Sequence, residues 1–509
     1  MATLKPEEPG TPNVSRRQFM ETASMAALGA AIGSVGAEAT EHPSGPPNIL
    51  LIISDEHNAS VTGCYGNDVI KTPSLDHLAA RGVVFENCYT NSPLCVPSRL
   101  SLTSGKYSSR VGAWNNDCWL PSADYPSIAR VVQNRGYEAF LAGKMHYDKT
   151  RRYGFTEIGR SGSNEATPLG YGTRRAYDNT SIFCQEWWGR SRSFCSGDRS
   201  VVLNHDRAVR NHACDFLANR QSSASPFFLV VGFLAPHEPL TVPEEFHSPY
   251  RGRIKPPHLP LGHMETQPMN YQQLRHGFGF VKTDPQEVMK GREYYYGLTQ
   301  WCDQNIGHVL DALAKSPFGR NTVVIYTSDH GENMGEHGLW WKSCMYECAS
   351  RVPLIVSWPG HWPMGQRRRG ACSLVDVVQT VAEISGAETP RDWNGNSLVP
   401  WLRDRAYAWK DLAVSEYYAH LIASGFAMLR HGNYKYVYHT QPSADFPAQR
   451  ELYDLSTDPG EFINLVSIPE QQKRIREYHA MLVKEIGEDP EITEKRCRAD
   501  YLKGYHRSV

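Results

Sequence analysis

Apolar residues along this chain gather in short unbroken runs rather than in alternation. Five runs have strand length and β-branched content: Ile49–Ile53, Ala139–Ala142, Phe227–Phe233, Val323–Tyr326 and Pro353–Val356. A strand with one wet face alternates apolar and polar residues; a strand covered on both faces does not. The runs therefore predict central strands with helices on either side. Helical spacing lies between them: in the stretch from Tyr295 to Lys315, Ile306, Val309, Leu310 and Leu313 fall on one face. Strands alternating with helices predict an open α/β sheet.

Four of the runs pass directly into chemically capable residues. Ile49–Ile53 leads to Ser54-Asp55-Glu56-His57, and Ala139–Ala142 to Gly143-Lys144-Met145-His146. Phe227–Phe233 leads to Pro236-His237-Glu238-Pro239, and Val323–Tyr326 to Ser328-Asp329-His330-Gly331. In open α/β sheets ligands sit beyond the carboxyl ends of strands. Parallel strands would bring all four ends to one edge and make a single site. Asp55, Glu56, Asp329 and His330 would then offer carboxylates and an imidazole, a donor set suited to a hard divalent cation.

The pattern changes after about residue 400. Phe426 to Tyr438 reads as a hairpin turning at His431-Gly432-Asn433, and Glu451–Leu455 as a further strand. Asp458-Pro459-Gly460-Glu461 reads as a turn. Ile475, Tyr478, Leu482 and Ile486 then mark an amphipathic helix, so a small antiparallel sheet with a helix is expected.

Composition narrows the class. The 509 residues are 40% apolar and 21% charged with a net charge of -1, as in ordinary globular proteins and against a nucleic-acid or polyanion partner. Arg367-Arg368-Arg369, between Gly365 and Gly370, reads as a solvated turn. Residues 1–39 read as a twin-arginine signal peptide: Ser15-Arg16-Arg17-Gln18-Phe19-Met20, a weakly apolar stretch from Ala23 to Val35, and an Ala37-Glu38-Ala39 cleavage site. This predicts a periplasmic or secreted protein, and no later stretch is long and apolar enough to span a membrane. The twelve cysteines show no paired CxxC and hence no zinc framework; Cys344 and Cys348, four apart, fit one helical face. Tyr294-Tyr295-Tyr296 and the Trp114–Trp119 region fit either a pocket lining or core packing.

The most specific string is Cys95-Val96-Pro97-Ser98-Arg99. Pro97 suits the first position of a helix, the N–H groups of a first turn attract anions, and Arg99 adds a clamp for a tetrahedral oxyanion. This string resembles the Cys-x-Pro-Ser-Arg signature of the formylglycine-dependent sulfatases. The continuation Leu102-Thr103-Ser104-Gly105-Lys106-Tyr107 is similar to that family's Leu-Thr-Gly-Arg/Lys-Tyr extension, with an added Ser. Gly335-Glu336-His337-Gly338-Leu339-Trp340-Trp341-Lys342 resembles its Gly-Glu-His-Gly-Leu-Trp-x-Lys element. The Leu452-Tyr453-Asp454-Leu455 stretch with Asp458-Pro459-Gly460-Glu461 is similar to its C-terminal subdomain.

The resemblance implies an alkaline-phosphatase-like α/β fold, with a catalytic domain over 48–400 and a C-terminal α+β subdomain over 401–509. It implies that Cys95 is oxidised to C-formylglycine by a formylglycine-generating enzyme. One divalent metal, Ca2+ ahead of Mg2+ or Mn2+, would be held by Asp55, Glu56, the modified Cys95, Asp329 and His330; Glu56 departs from the family's common Asp-Asp pair. Arg99, Lys144 and Lys342 would stabilise sulfuryl oxygens. His237, with Lys342, would protonate the leaving alcohol, and His146 would act as base. The substrate would be a sulfated small molecule or carbohydrate, and the motifs look most like the branch of choline sulfatases, phosphonate monoester hydrolases and iduronate sulfatases. A phosphonate monoester or phosphodiester hydrolase, and a non-catalytic binding protein, are the alternatives.

Overall fold

The computed structural model describes residues 45–159, 162–164, 194–418 and 422–504. The twin-arginine segment lies outside the described residues. An eight-stranded sheet occupies the centre. Its strands in chain order are β1 (Asn48–Asp55), β2 (Val83–Tyr89), β3 (Glu138–Gly143), β4 (Thr156–Glu157), β5 (Phe227–Pro236), β6 (Thr322–Ser328), β7 (Arg351–Ser357) and β8 (Gln366–Ser373). Their spatial order is β8-β2-β7-β6-β1-β5-β3-β4.

The unbroken apolar runs have a direct cause. Ile49, Leu51 and Ile53 of β1 enter one core, shared with Val96 and Leu100 of α1 (Cys95–Ser104) and with Val377 and Val381 of α4 (Leu374–Ile384). Leu50 and Ile52 enter the other, shared with Val209 and Leu217 of α2 (Val201–Asn219) and with Ile306 and Val309 of α3 (Pro285–Lys315). Each fully buried aliphatic side chain contributes about 1.5–3 kcal/mol, so a polar residue on either face would be costly.

β1 pairs in parallel with β5 and β6, and β5 with β3, so the four polar strand ends do converge. β7 runs antiparallel to both its neighbours, which removes the Pro353–Val356 run from the parallel set. Pro353 has no N–H to donate, and the pairing with β2 slips between Val352 and Leu354. The arginine run departs from its reading as a turn. It lies in β8, where buried Arg368 donates to the carbonyls of Trp401 at 2.7 Å and Leu402 at 3.2 Å. α3 begins at Pro285, capped by Asp284, ten residues before the apolar periodicity becomes legible.

Beyond residue 400, strands β9 (Leu412–Tyr417), β10 (Phe426–His431), β11 (Tyr434–His439) and β12 (Gln449–Asp454) form an antiparallel sheet in sequential order. Helix α5 (Gln472–Ile486) lays Ile475, Tyr478, Leu482 and Ile486 against it, as its spacing predicts. Helix α6 (Pro490–Leu502) follows. Among the described residues no helix is long and apolar enough to cross a membrane.

Candidate active site

Asp55 is the last residue of β1, Lys144 follows β3, His237 follows β5, and Asp329 and His330 follow β6. Helix α1 starts at Cys95 and carries Cys95, Ser98 and Arg99 onto the same edge. Ser98 Oγ donates to the carbonyl of Asp329 at 2.7 Å and so fixes the helix to the end of β6.

Arg99 is fully buried and joins three of these segments. Nε donates to Asp329 Oδ2 at 2.8 Å, one terminal nitrogen to Asp55 Oδ2 at 3.2 Å, and the other to the carbonyl of Lys144 at 2.6 Å. The Lys144 ammonium also ion-pairs with Asp55. Cys95 Sγ lies 3.3 Å from His330 Nε2 and 3.7 Å from Asp55 Oδ1. Asp55, Cys95, Asp329 and His330 thus place their ligand atoms within 4.8 Å of one another, all buried. His330 Nδ1 donates to the carbonyl of Gly331 at 3.0 Å, which leaves the Nε2 lone pair facing this group. Two carboxylates and an imidazole nitrogen aimed at one buried point fit a divalent cation.

Glu56 lies outside that foursome but forms a second candidate metal group with Asp55 and His237. It accepts an ion pair from Lys342 and has Oε1 3.6 Å from His237 Nε2. Its backbone is left-handed at φ 66, held by its N–H on Asp329 Oδ1 at 3.3 Å and by Tyr295, whose hydroxyl donates to its carbonyl at 2.5 Å. His237 stands between two cis peptides, Ala235–Pro236 and Glu238–Pro239, with Nδ1 2.7 Å from the carbonyl of Glu238. His146 is left-handed at φ 58, and its buried Nδ1 has no hydrogen-bond partner among the described residues.

The profile of the sulfatase family matches residues 47–387. The chain belongs to the sulfatase family. The profile described as N-sulphoglucosamine sulphohydrolase, C-terminal, matches residues 335–488. The chain is 29% identical over 443 residues to the choline-sulfatase of Rhizobium meliloti (strain 1021), covering 84% of this chain and 83% of that protein. It is 28% identical over 474 residues to arylsulfatase K of Homo sapiens, covering 88% and 84%. Two solved structures establish the fold. The phosphonate monoester hydrolase of Agrobacterium radiobacter superposes with a TM-score of 0.68 at 21% identity, covering 87% of this chain and 95% of that one. A protein in complex with its substrate D-glucosamine-2-N,6-O-disulfate gives 0.67 at 22%, covering 90% and 99%. This sulfatase is a sulfuric ester hydrolase.

The structure revises two parts of the sulfatase signature. α1 begins at Cys95, so Pro97 is its third residue; its missing N–H still falls in the first turn, where no bond is lost. The Val96 N–H is taken by Asn116 Oδ1 at 3.0 Å. Arg99 is not an open clamp for substrate. It lies within the protein and binds the two carboxylates and the Lys144 carbonyl.

Electrostatics separate the roles of the remaining groups. Burial opposes ionisation of Asp55, but Lys144 and Arg99 hold its carboxyl well below the usual range. Burial, then Asp55, push the Cys95 thiol well above its ordinary value, so the sulfur is no thiolate at neutral pH. Burial takes His237 down to about 4, and burial with Lys144 holds His146 well below the ordinary imidazole range. Burial lowers Lys342 to about 8.

Several residues whose role the sequence left open support the site or the core. Tyr295 serves the turn at Glu56 and also accepts from the N–H of Asn58 at 2.9 Å, so this tyrosine is site scaffolding rather than pocket lining. Trp114 is core, its Nε1 donating to Asp500. Cys344 and Cys348 share no helix. Cys348 belongs to the turn Glu347–Ser350, and both sulfurs reach Asn333. Behind Lys342, buried Lys435 of β11 binds the carbonyl of Met345 at 2.8 Å and Glu347 at 2.6 Å. Among the described residues no disulfide is formed.

Proposed function

We propose that this sulfatase hydrolyses the sulfate ester of a small alcohol or carbohydrate through C-formylglycine formed from Cys95, with a divalent cation, Ca2+, at Asp55, Cys95, Asp329 and His330. The observation that carries the reading is the convergence of those four ligand atoms within 4.8 Å, one of them a thiol that burial keeps protonated. A thiol so held is a poor nucleophile; oxidation of residue 95 supplies an oxygen nucleophile at the same position. A divalent cation there supplies Lewis-acid stabilisation and lowers the pKa of an oxygen acid bound to it.

The chain's own residues supply the rest. Asp55, held ionised by Lys144 and Arg99, and Asp329, both oriented by Arg99, hold the cation side of the site. Lys144 and Lys342 place ammonium groups on either side of Asp55 and Glu56, suited to the sulfuryl oxygens. Glu56 sets the position of Lys342 and His237 beside the cation group. Lys342, an ammonium at neutral pH with its pKa lowered to about 8, supplies the proton to the departing alcohol, with His237, partly open to solvent, beside it on Glu56. His146, neutral with Nδ1 unoccupied, accepts the proton at the nucleophile. The arylsulfatase and choline-sulfatase relatives and the disulfated glucosamine complex support a sulfated small molecule or carbohydrate as substrate. The leader over 15–39 supports export by the twin-arginine route to the periplasm or beyond, after maturation by a formylglycine-generating enzyme in the cytoplasm.

The test has two parts. Mass spectrometry of the peptide spanning residue 95, after co-expression with a formylglycine-generating enzyme, is expected to show the aldehyde; an unmodified thiol in an active protein refutes the nucleophile. Paired sulfate and phosphonate esters of one alcohol are expected to favour the sulfate. Preference for the phosphonate would place the protein with the phosphonate monoester hydrolases.

A further inference from the structure

Asn164 is 1% exposed, and both ends of its carboxamide are engaged. Oδ1 accepts from the N–H of Met145 at 2.8 Å and of Tyr147 at 3.4 Å. Nδ2 donates to the carbonyl of Gly143 at 2.7 Å and to Glu157 Oε1 at 2.9 Å. Three of these four partners are backbone groups of one segment, Gly143 to Tyr147, which carries Lys144 and His146. Between the two N–H groups lies His146 at φ 58, a conformation that a residue with a side chain seldom keeps unless its surroundings impose it.

The segment around Asn164 is anchored in turn. Ser163 Oγ is 2.9 Å from His205 Nε2, and His205 Nδ1 is 2.7 Å from Asp206 Oδ1. Asp206 accepts from the N–H groups of Leu234 and Ala235, each at 2.8 Å. Those two residues lie at the end of β5, just before His237. One chain of hydrogen bonds therefore connects the backbone that carries Lys144 and His146 with the backbone that carries His237.

We propose that Asn164 is a positioning residue of this sulfatase: its carboxamide sets the course of Gly143–Tyr147 and so places Lys144 and His146 against the reacting ester. The proposal rests on the roles given to Lys144 and His146 above. An amide is required because the site asks for an acceptor toward two N–H groups and a donor toward a carbonyl and a carboxylate. Aspartate keeps the acceptor, loses the donor, and sets a like charge against Glu157.

Asn164→Ala and Asn164→Asp in the full chain, matured as the wild type, test this with para-nitrophenyl sulfate as probe. kcat is expected to fall about 100-fold in the alanine variant, the cost of a displacement near 1 Å, with KM within about threefold. The aspartate variant is expected to lose at least about tenfold in kcat. Formylglycine content at residue 95, measured by mass spectrometry, separates a maturation defect from lost positioning. Hydrogen exchange at the amides of Met145 and Tyr147 is expected to rise while β1 and β5 keep their protection. Wild-type kcat in either folded variant, a loss confined to KM, or unchanged exchange at those amides overturns the proposal. If the alanine variant does not fold, the aspartate variant decides by the same measures. If the wild type leaves the probe intact while exchange rises as expected, the roles of Lys144 and His146 fail and the grip of Asn164 on their backbone stands.

Discussion

Replacing Arg99 by methionine tests the central feature of the site, a buried guanidinium shared by two carboxylates. Methionine keeps most of the volume, so the cavity contribution is small and the change is chiefly electrostatic. Asp329 Oδ2 loses its 2.8 Å partner, Asp55 Oδ2 its 3.2 Å partner, and the Lys144 carbonyl its 2.6 Å donor. Hydrogen bonds to charged groups contribute about 1.5–3 kcal/mol each, so the two carboxylate arms together are worth about 3–6 kcal/mol. Asp55 keeps Lys144, which places the expected loss toward the middle of that range. Loss of one member of a buried pair independently gives about 3–5 kcal/mol. Urea unfolding in the presence of EGTA reads the loss as a midpoint shift at constant slope. Arg99→Lys should recover only part, because one ammonium cannot span both carboxylates as the planar fork does. A loss below about 1 kcal/mol, the range of an exposed pair, would refute the argument that Arg99 holds this site together.

Three further outcomes are expected. Gly143 sits at φ 91, and a Cβ there would lie 2.2 Å from the carbonyl oxygen of Gly232, so Gly143→Ala should cost more than about 2 kcal/mol and abolish turnover, measured by denaturation and ester hydrolysis. Asp303 is buried and its carboxyl is raised from 3.8 to about 6, chiefly by burial and despite the N–H groups of Ser74 and Leu75. The folded state then binds the proton more tightly than the unfolded chain, so this group's contribution falls as pH rises from about 4 to about 6, by about 3 kcal/mol. Asp303→Asn removes that slope, and its stability relative to wild type should rise across the same window in melting experiments; a flat difference refutes the assignment. Dialysis against a chelator should abolish activity and lower the melting temperature, with Ca2+ restoring both. Full activity after chelation would remove the cation from the site.

Sequence by itself determined the layers of this protein. Ile49–Ile53 and Val323–Tyr326 could only be strands covered twice, because each successive side chain enters a different apolar core. It also determined which residues would be chemically capable, since Asp55, Lys144, His237 and Asp329 each follow a legible apolar run and Cys95 opens the most specific string. Edge strands were less legible: β8 reads as charge because it interleaves exposed Arg367 and Arg369 with a buried arginine whose partners come from Trp401 and Leu402. Tertiary structure alone decided what each group faces. Arg99 turns inward because two carboxylates from strands far apart in the chain meet at its fork, and no local spacing encodes that meeting. Glu56 faces Lys342 and His237 because its backbone turns left-handed under contacts from Asp329 and Tyr295. Asn164 is mute in sequence for the same reason: its carboxamide acts on a backbone that only the fold brings within reach.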